Sequence, residues 1–199
     1  MELGGVRIFP GALDADARNS VLAAVRAVVA EAPLFHPVTA RGRQMSVRMT
    51  SCGEFGWVSD RRGYRYERTH PATGRPWPAI PAEVAALWQR FAGPGARDPE
   101  CCLVNFYGEG ARMGLHQDRD EADFSQPVVS LSLGDDGLFR VGGTERGGRT
   151  ASVWLKSGDV AVLAGPARLL HHGVDRIRFG SSDLLSQGGR LNLTLRVVT

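Results

Sequence analysis

The chain has 199 residues, 43% hydrophobic and 23% charged, a balance that suits one soluble domain with a substantial core. No apolar run approaches the roughly 18 residues of a membrane helix, and the first ten residues lack the basic and apolar stretches of a secretory signal, so no membrane partner is expected. The net charge of +3 is too small to imply nucleic acid by itself, and three cysteines, an odd number, argue against a disulfide framework and for a reducing, cytoplasmic compartment.

In chain order, Val6–Phe9 is predicted as a short strand ended by Pro10-Gly11. Asp14 caps a predicted helix running to about Ala30, with Leu22, Val25 and Val29 on one face; Pro33 and Pro37 end it. Residues 41–80 are rich in Gly, Pro and Arg with no clear period, and read as hairpins and loops over the core, a candidate lid. From Arg41 to Arg75 eight arginines face only Glu54, Asp60 and Glu67. This stretch is therefore +5 and the rest of the chain −2. Trp57, Tyr64, Tyr66 and Trp77 are interleaved with those arginines, a mixture that suits a phosphate backbone and unstacked bases. A general arginine bias gives the same run without any nucleic acid, and 23 of the 24 basic residues are arginine.

A second helix is predicted from Pro81, because Val84, Leu87, Trp88 and Phe91 recur at helical spacing; Gly93-Pro94-Gly95 stops it. Residues 100–199 then change to short β-rich runs: Cys101–Tyr107, Pro127–Leu133, Leu138–Val141, Ala151–Leu155, Val160–Leu163 and Leu191–Val198. Adjacent Cys101 and Cys102 sit in the first of these as buried thiols. The expected architecture is mainly β with flanking helices (α+β), an antiparallel sandwich or open barrel in a single domain, 1–199.

The chemistry gathers in His116-Gln117-Asp118, His172-Gly173 and the run Arg190 to Arg196. Two histidines and one carboxylate are the set that holds a non-haem Fe(II) and leaves positions open. In an extended strand His116 and Asp118 point the same way and can face one cavity. His172 is preferred to His171, because Gly173 permits a close backbone turn and one of the pair should point in while the other points out. An H-x-D motif alone is a weak signal and often binds nothing. The last strand is stronger: Leu191, Leu193, Leu195 and Val197 alternate with Arg190, Asn192, Thr194 and Arg196. An ordinary surface strand alternates too, but here both polar ends are arginines, about 20 Å apart along a strand. Their planar forks could bracket a five-carbon diacid, and Asn105 and Tyr107 share a face that could donate to it. Together these residues read as an oxygenase using Fe(II), O2 and 2-oxoglutarate.

The blocks Leu103 to Tyr107, Gly114 to Glu121, Val129 to Gly134, His172-Gly173 and Arg190 to Arg196 resemble the AlkB family of alkylated-nucleic-acid repair dioxygenases, most closely the bacterial type. The resemblance extends to Met45–Gly53, Gly56-Trp57, Gly63–Tyr66 and Pro76-Trp77-Pro78, and covers roughly residues 40–196. It implies a double-stranded β-helix (jelly-roll) core, over 100–199, with an N-terminal nucleotide-recognition lid. It implies Fe(II) held by His116, Asp118 and His172, and 2-oxoglutarate held by Asn105, Tyr107, Arg190, Asn192 and Arg196. Members of the family oxidise the N-methyl group of lesions such as 1-methyladenine and 3-methylcytosine, and the hydroxymethyl product loses formaldehyde.

Such a base must leave the stack and enter a pocket. By resemblance, Trp57 stacks on it opposite His172. Tyr64 and Tyr66, with Arg65 between them, lie at the nucleotide phosphate and sugar. Asp120 accepts from an exocyclic amine, or else pairs with a nearby arginine, and Arg146 is a lid arginine near the substrate. Met49 and Met113 are expected mainly as packing. Leu163 stands where bacterial relatives carry tryptophan, and Ser59-Asp60-Arg61-Arg62 is a variant of its own. The expected partner is single- or double-stranded DNA, with RNA a further candidate, and the expected state a monomer. Two other readings compete: a hydroxylase of the same chemistry acting on a protein or small molecule, and a non-catalytic jelly-roll binding module. The basic aromatic lid speaks against the first, the full ligand set and paired arginines against the second.

Overall fold

A computed structural model describes residues 1–199. Strands β1 (Glu2–Leu3) and β2 (Val6–Phe9) lead into helix α1 (Ala15–Glu31), followed by β3 (Arg48–Gly53), β4 (Gly56–Asp60), β5 (Gly63–Glu67) and helix α2 (Ala82–Phe91). Then come β6 (Cys101–Tyr107), β7 (Met113–His116), β8 (Val128–Gly134), β9 (Asp136–Val141), β10 (Ala151–Leu155) and β11 (Val160–Leu163). A single 3-10 turn (Gly165–Ala167) precedes β12 (His172–Arg178) and β13 (Arg190–Arg196). Asp14 caps α1 as expected, its Oδ1 accepting from the Ala17 amide at 2.8 Å. No helix is long and apolar enough to cross a membrane.

The strands form a seven-stranded sheet in the order β1-β2-β11-β8-β13-β6-β3, a four-stranded sheet β10-β9-β12-β7, and the separate hairpin β4-β5. Every pairing is antiparallel. This mainly β jelly-roll with two helices is the expected fold. The helices cover the outer face of the large sheet. Val84, Leu87, Trp88 and Phe91 of α2 pack with Leu191, Leu193 and Leu195 of β13 and Leu131 and Leu133 of β8. Each such side chain, fully buried, contributes roughly 1.5–3 kcal/mol.

The period of two sends the alternate residues to the inner face. There two apolar clusters lie apart: Val128, Phe139, Leu155 and Leu163 in one, Met49, Leu103, Tyr107 and Val174 in the other. Between them runs the polar row of β13.

The structure departs from the sequence reading in four places. Val28, rather than Val29, is the fully buried residue of the last turn of α1. Arg48–Gly53 is the edge strand of the large sheet, paired residue for residue with β6; its Met, Thr, Ser and Cys lack a strong apolar alternation, and both of its faces are covered. Met113–His116 and His172–Arg178 are strands of the small sheet, short or broken by charges and so inconspicuous by pattern. Asp118 lies beyond the end of β7, in the loop to β8.

Candidate active site

His116 and His172 are cross-strand partners on β7 and β12, their ring centroids 4.7 Å apart. Asp118 closes the group, with Oδ1 3.7 Å from His116 Nε2 and Oδ2 3.6 Å from His172 Nε2. One ligand atom from each of the three lies within 4.8 Å of the others. The loop, not a strand period, thus brings the carboxylate to the histidines.

Each Nδ1 faces a backbone carbonyl, Gly114 O at 2.9 Å and Leu170 O at 3.0 Å. A carbonyl only accepts, so Nδ1 carries the proton and Nε2 keeps its lone pair, the tautomer that a metal requires. Burial, reinforced by His172, pushes His116 below its ordinary pKa. Burial works to raise the Asp118 carboxyl, but Arg196 and the histidines prevail and hold it well below the usual carboxylate range. The donor set is two imidazole Nε2 atoms and a carboxylate, which fits a divalent iron.

Gly173 has a different reason from the turn expected of it. A Cβ there would stand 2.5 Å from Met113 O and 2.7 Å from Gly114 O, so only glycine lets β12 lie this close to β7. His171 does not point to solvent either. It is buried, and its Nδ1 meets Gly143 O at 3.0 Å, joining the third histidine's segment to the loop that carries Arg146.

These groups line a cavity of about 350 Å³. Its floor is the polar row of β13 and its neighbours in register: Arg190 beside Tyr107, Asn192 between Asn105 and Ser132, Thr194 beside Ser130. The two arginines are not equivalent. Arg196 is paired with Asp118 at 3.1 Å and with Glu121 at 2.9 Å. Arg190 is wholly buried yet touches only neutral acceptors: Ser132 Oγ at 2.6 Å, Leu155 O at 3.2 Å and Asp135 O at 3.3 Å. Its Nε is unpartnered, as is Asn105 Oδ1. A buried cation without a carboxylate is costly and calls for an anion from outside. Desolvation lowers the pKa of Arg190, and a guanidinium keeps its charge near neutrality. Burial raises the Tyr107 phenol, which keeps it a donor.

At the mouth, Trp57 of β4 stacks on Tyr64 of β5, centroids 5.3 Å apart and planes 22° from parallel. The Trp57 indole N–H donates to Asp120 Oδ2 at 2.9 Å, so Asp120 holds the indole rather than an arginine. Arg146 and Arg119 also line the cavity, and neither makes an ion pair. Met49, Met113 and Leu163 line it while packing in the inner clusters.

Two expected contacts do not reach the cavity. Arg65 lies on the far side of the hairpin, paired with Asp60 and Glu67, because it alternates with Tyr64 and Tyr66. Tyr66 is tucked beneath Trp57, its hydroxyl donating to Glu121 Oε1 at 2.5 Å and accepting from Arg196 at 3.0 Å. Asp60, Glu67 and Glu54 together neutralise Arg62, Arg65 and Arg68. Arg41, Arg43, Arg48, Arg61 and Arg75 are left without ion pairs, Arg48 lying over the Phe106 ring and Arg75 donating to Glu31 O, so the charge excess of the segment is real but narrower than its arginine count.

Four contributors were not singled out from the sequence. Gly137 makes room for Arg190, since a Cβ there would lie 2.7 Å from its Nε. Gln117 donates to Thr144 O at 3.1 Å and Leu169 O at 2.6 Å. Glu121 and Arg168 form a buried pair at 3.1 Å. Only Arg168 leaves a trace in the sequence, as a lone charge in the apolar run from Val160 to Leu170.

A jelly-roll whose inner face carries two histidines, an aspartate and an unpaired arginine defines an iron-dependent oxygenase, and residues 5–196 match the family model of the 2OG-Fe(II) oxygenase superfamily. The chain belongs to that superfamily, and its cofactors are Fe(II), 2-oxoglutarate and O2. Within it the chain is an AlkB-type dioxygenase. It is 54% identical over 192 residues to the alpha-ketoglutarate-dependent dioxygenase AlkB homolog of Caulobacter vibrioides, covering 96% of this chain and 87% of that one. It is 40% identical over 184 residues to the AlkB dioxygenase of Escherichia coli K12, covering 91% and 85%. Among solved structures it resembles OsALKBH1, with a TM-score of 0.80 at 30% identity over 98% of this chain and 97% of that one.

Proposed function

We propose that the chain oxidatively demethylates N-alkylated bases, of the 1-methyladenine and 3-methylcytosine type, in DNA and also in RNA. The observation that carries this is the mouth of the cavity: a stacked Trp57–Tyr64 pair, held by Asp120, with free arginines beside it. A flat aromatic surface takes any base by stacking, and arginines take the phosphates. The β4-β5 hairpin is the nucleotide-recognition lid of this reading, and a flipped base fits better than a folded protein segment.

His116, Asp118 and His172 hold Fe(II) through two imidazole Nε2 atoms and a carboxylate oxygen. Arg190, with Tyr107, Asn105 and Asn192 beside it, takes a carboxylate of 2-oxoglutarate; Arg196 orders the other end through Asp118. Bound iron supplies the oxidation of the N-methyl group by O2, with 2-oxoglutarate leaving as succinate and CO2 and the methyl carbon as formaldehyde. The protein's share is placement. The indole orients the base, Asp120 keeps the indole on Oδ2 while its Oδ1 can accept from an exocyclic amine, and the apolar walls at Leu163, Phe139 and Val174 keep water out. Three free, buried cysteines suit work in the cytoplasm, as a monomer on single-stranded or locally opened strands.

The test is mass spectrometry of a single-stranded oligonucleotide carrying one 1-methyladenine, incubated with enzyme, Fe(II), ascorbate and 2-oxoglutarate under air. Loss of one methylene mass is expected, dependent on 2-oxoglutarate and absent with Asp118→Ala. Succinate formation with the oligonucleotide unchanged would rule out this substrate.

A further inference from the structure

Asp118 stands in an irregular loop, so its position must be imposed from outside. Two arginines reach it. Arg196 donates to its carboxylate, and Arg168 donates to its backbone carbonyl at 2.6 Å. Arg168 follows the 3-10 turn just ahead of His172, and its other nitrogens donate to Gln126 O at 2.9 Å and Glu121 Oε2 at 3.1 Å. One guanidinium thus grips the loop at three points. The remaining oxygen of Glu121 is bonded to Arg196 at 2.9 Å and to Tyr66 at 2.5 Å.

The four charges balance, two of each sign, with side chains only 2% exposed for Arg168, 0% for Glu121, 6% for Arg196 and 7% for Asp118. A hydrophobic set of the same volume would be as stable or more so, so stability alone does not account for this arrangement. Its geometry does. The chain of contacts runs from the segment bearing His172, through Arg168, to the loop bearing Asp118, and through Glu121 to Arg196.

We propose that Arg168 and Glu121 are positioning residues that set the Asp118 carboxylate against the two histidines and hold Arg196 beside it. The proposal rests on the reading of Asp118 as a metal ligand. Tyr66 extends the same network into the lid hairpin, which gives that tyrosine a place in the site without contact to a nucleotide.

The test is titration of the metal-free protein with Co(II) alone, followed by visible absorption, with far-ultraviolet circular dichroism to establish folding. Arg168→Lys keeps the positive charge opposite Glu121, but one ammonium cannot hold Asp118 O, Gln126 O and Glu121 Oε2 at once. Folded Arg168→Lys is expected to bind Co(II) about 10- to 100-fold more weakly, the usual effect of losing a group that orients a ligand. Glu121→Gln should weaken it too. A role limited to charge balance would leave Arg168→Lys with the parent's affinity, and that result overturns the proposal. If Arg168→Lys does not fold, Glu121→Gln decides by the same titration. Asp118→Ala separates the two layers: parental Co(II) affinity in that variant refutes the ligand assignment itself, whereas a loss there with none in Arg168→Lys refutes only the positioning.

Discussion

Replacing Arg190 by methionine should harm co-substrate binding while sparing the fold. The side chain is wholly buried and meets only the neutral acceptors Ser132 Oγ, Asp135 O and Leu155 O. Replacing a buried ion pair by apolar groups of similar volume is neutral or stabilising by about 1–4 kcal/mol, and a lone buried cation has no partner's attraction to lose when it is removed. Against this, Ser132 Oγ, Asp135 O and Leu155 O each lose a donor, at about 1–3 kcal/mol for a buried group left with no other partner. The opposing contributions largely offset, and the melting temperature without co-substrate should stay within a few degrees of the parent's. With 2-oxoglutarate bound, Arg190 becomes one half of a buried charge pair, whose truncation costs about 2–5 kcal/mol. At about 1.4 kcal/mol per tenfold, the affinity falls by roughly 30- to 4,000-fold.

Thermal unfolding of the Mn(II)-loaded protein reads both terms. At a hundred times the parent's Kd, 2-oxoglutarate adds about 2.7 kcal/mol to the parent, a rise of about 5–10 °C at roughly 2–4 °C per kcal/mol. Arg190→Met should keep at most about a third of that rise at the same concentration. A variant that melts several degrees lower alone, yet keeps the full 2-oxoglutarate shift, would refute the reasoning, because Arg190 would then be a structural cation.

Trp57→Ala should weaken binding of a methylated oligonucleotide by about 1–3 kcal/mol, the worth of one base stacked on an aromatic, and leave 2-oxoglutarate consumption without nucleic acid unchanged; fluorescence anisotropy and succinate release measure the two. Asp120→Ala frees the indole and should cost about 1 kcal/mol in the same binding assay; a parental affinity would mean that the 2.9 Å bond does not orient Trp57. Gly137→Ala sets a methyl group against the guanidinium 2.7 Å away and should raise KM for 2-oxoglutarate, with the oligonucleotide Kd unmoved. Asp118→Ala should abolish iron-dependent turnover and keep the oligonucleotide affinity of the parent, checked by pairing product analysis with anisotropy.

Local pattern carried far in this chain. The helical spacing of Val84, Leu87, Trp88 and Phe91 and the alternation of β13 are each set within one element, and both faces came out as the pattern requires. The chemistry of His116, Asp118 and His172 was legible from residue type, but the route by which they meet was not: the strand period does not reach Asp118, and the loop that carries it is fixed by Arg168 and Glu121 from elsewhere in the chain. Arg65 and Tyr66 were missed in their settings for a related reason. Motif order places a residue along the chain, whereas the pairing of β4 with β5 decides which side of the hairpin it occupies. Gly137 and Gly173 matter through a neighbour's close approach, which no single segment encodes.

The alternation in β13, β8 and β6 has a consequence for how this protein can change. Odd and even letters of the same strands answer to different demands, one set to the packing of the helices and the other to the contents of the cavity. Leu103, Ser130 and Thr194 can be varied while Val129, Leu131, Leu193 and Leu195 stay fixed. A library confined to those three positions, with the co-substrate residues Asn105, Tyr107, Arg190, Asn192 and Arg196 kept, therefore explores new substrates on an unaltered scaffold.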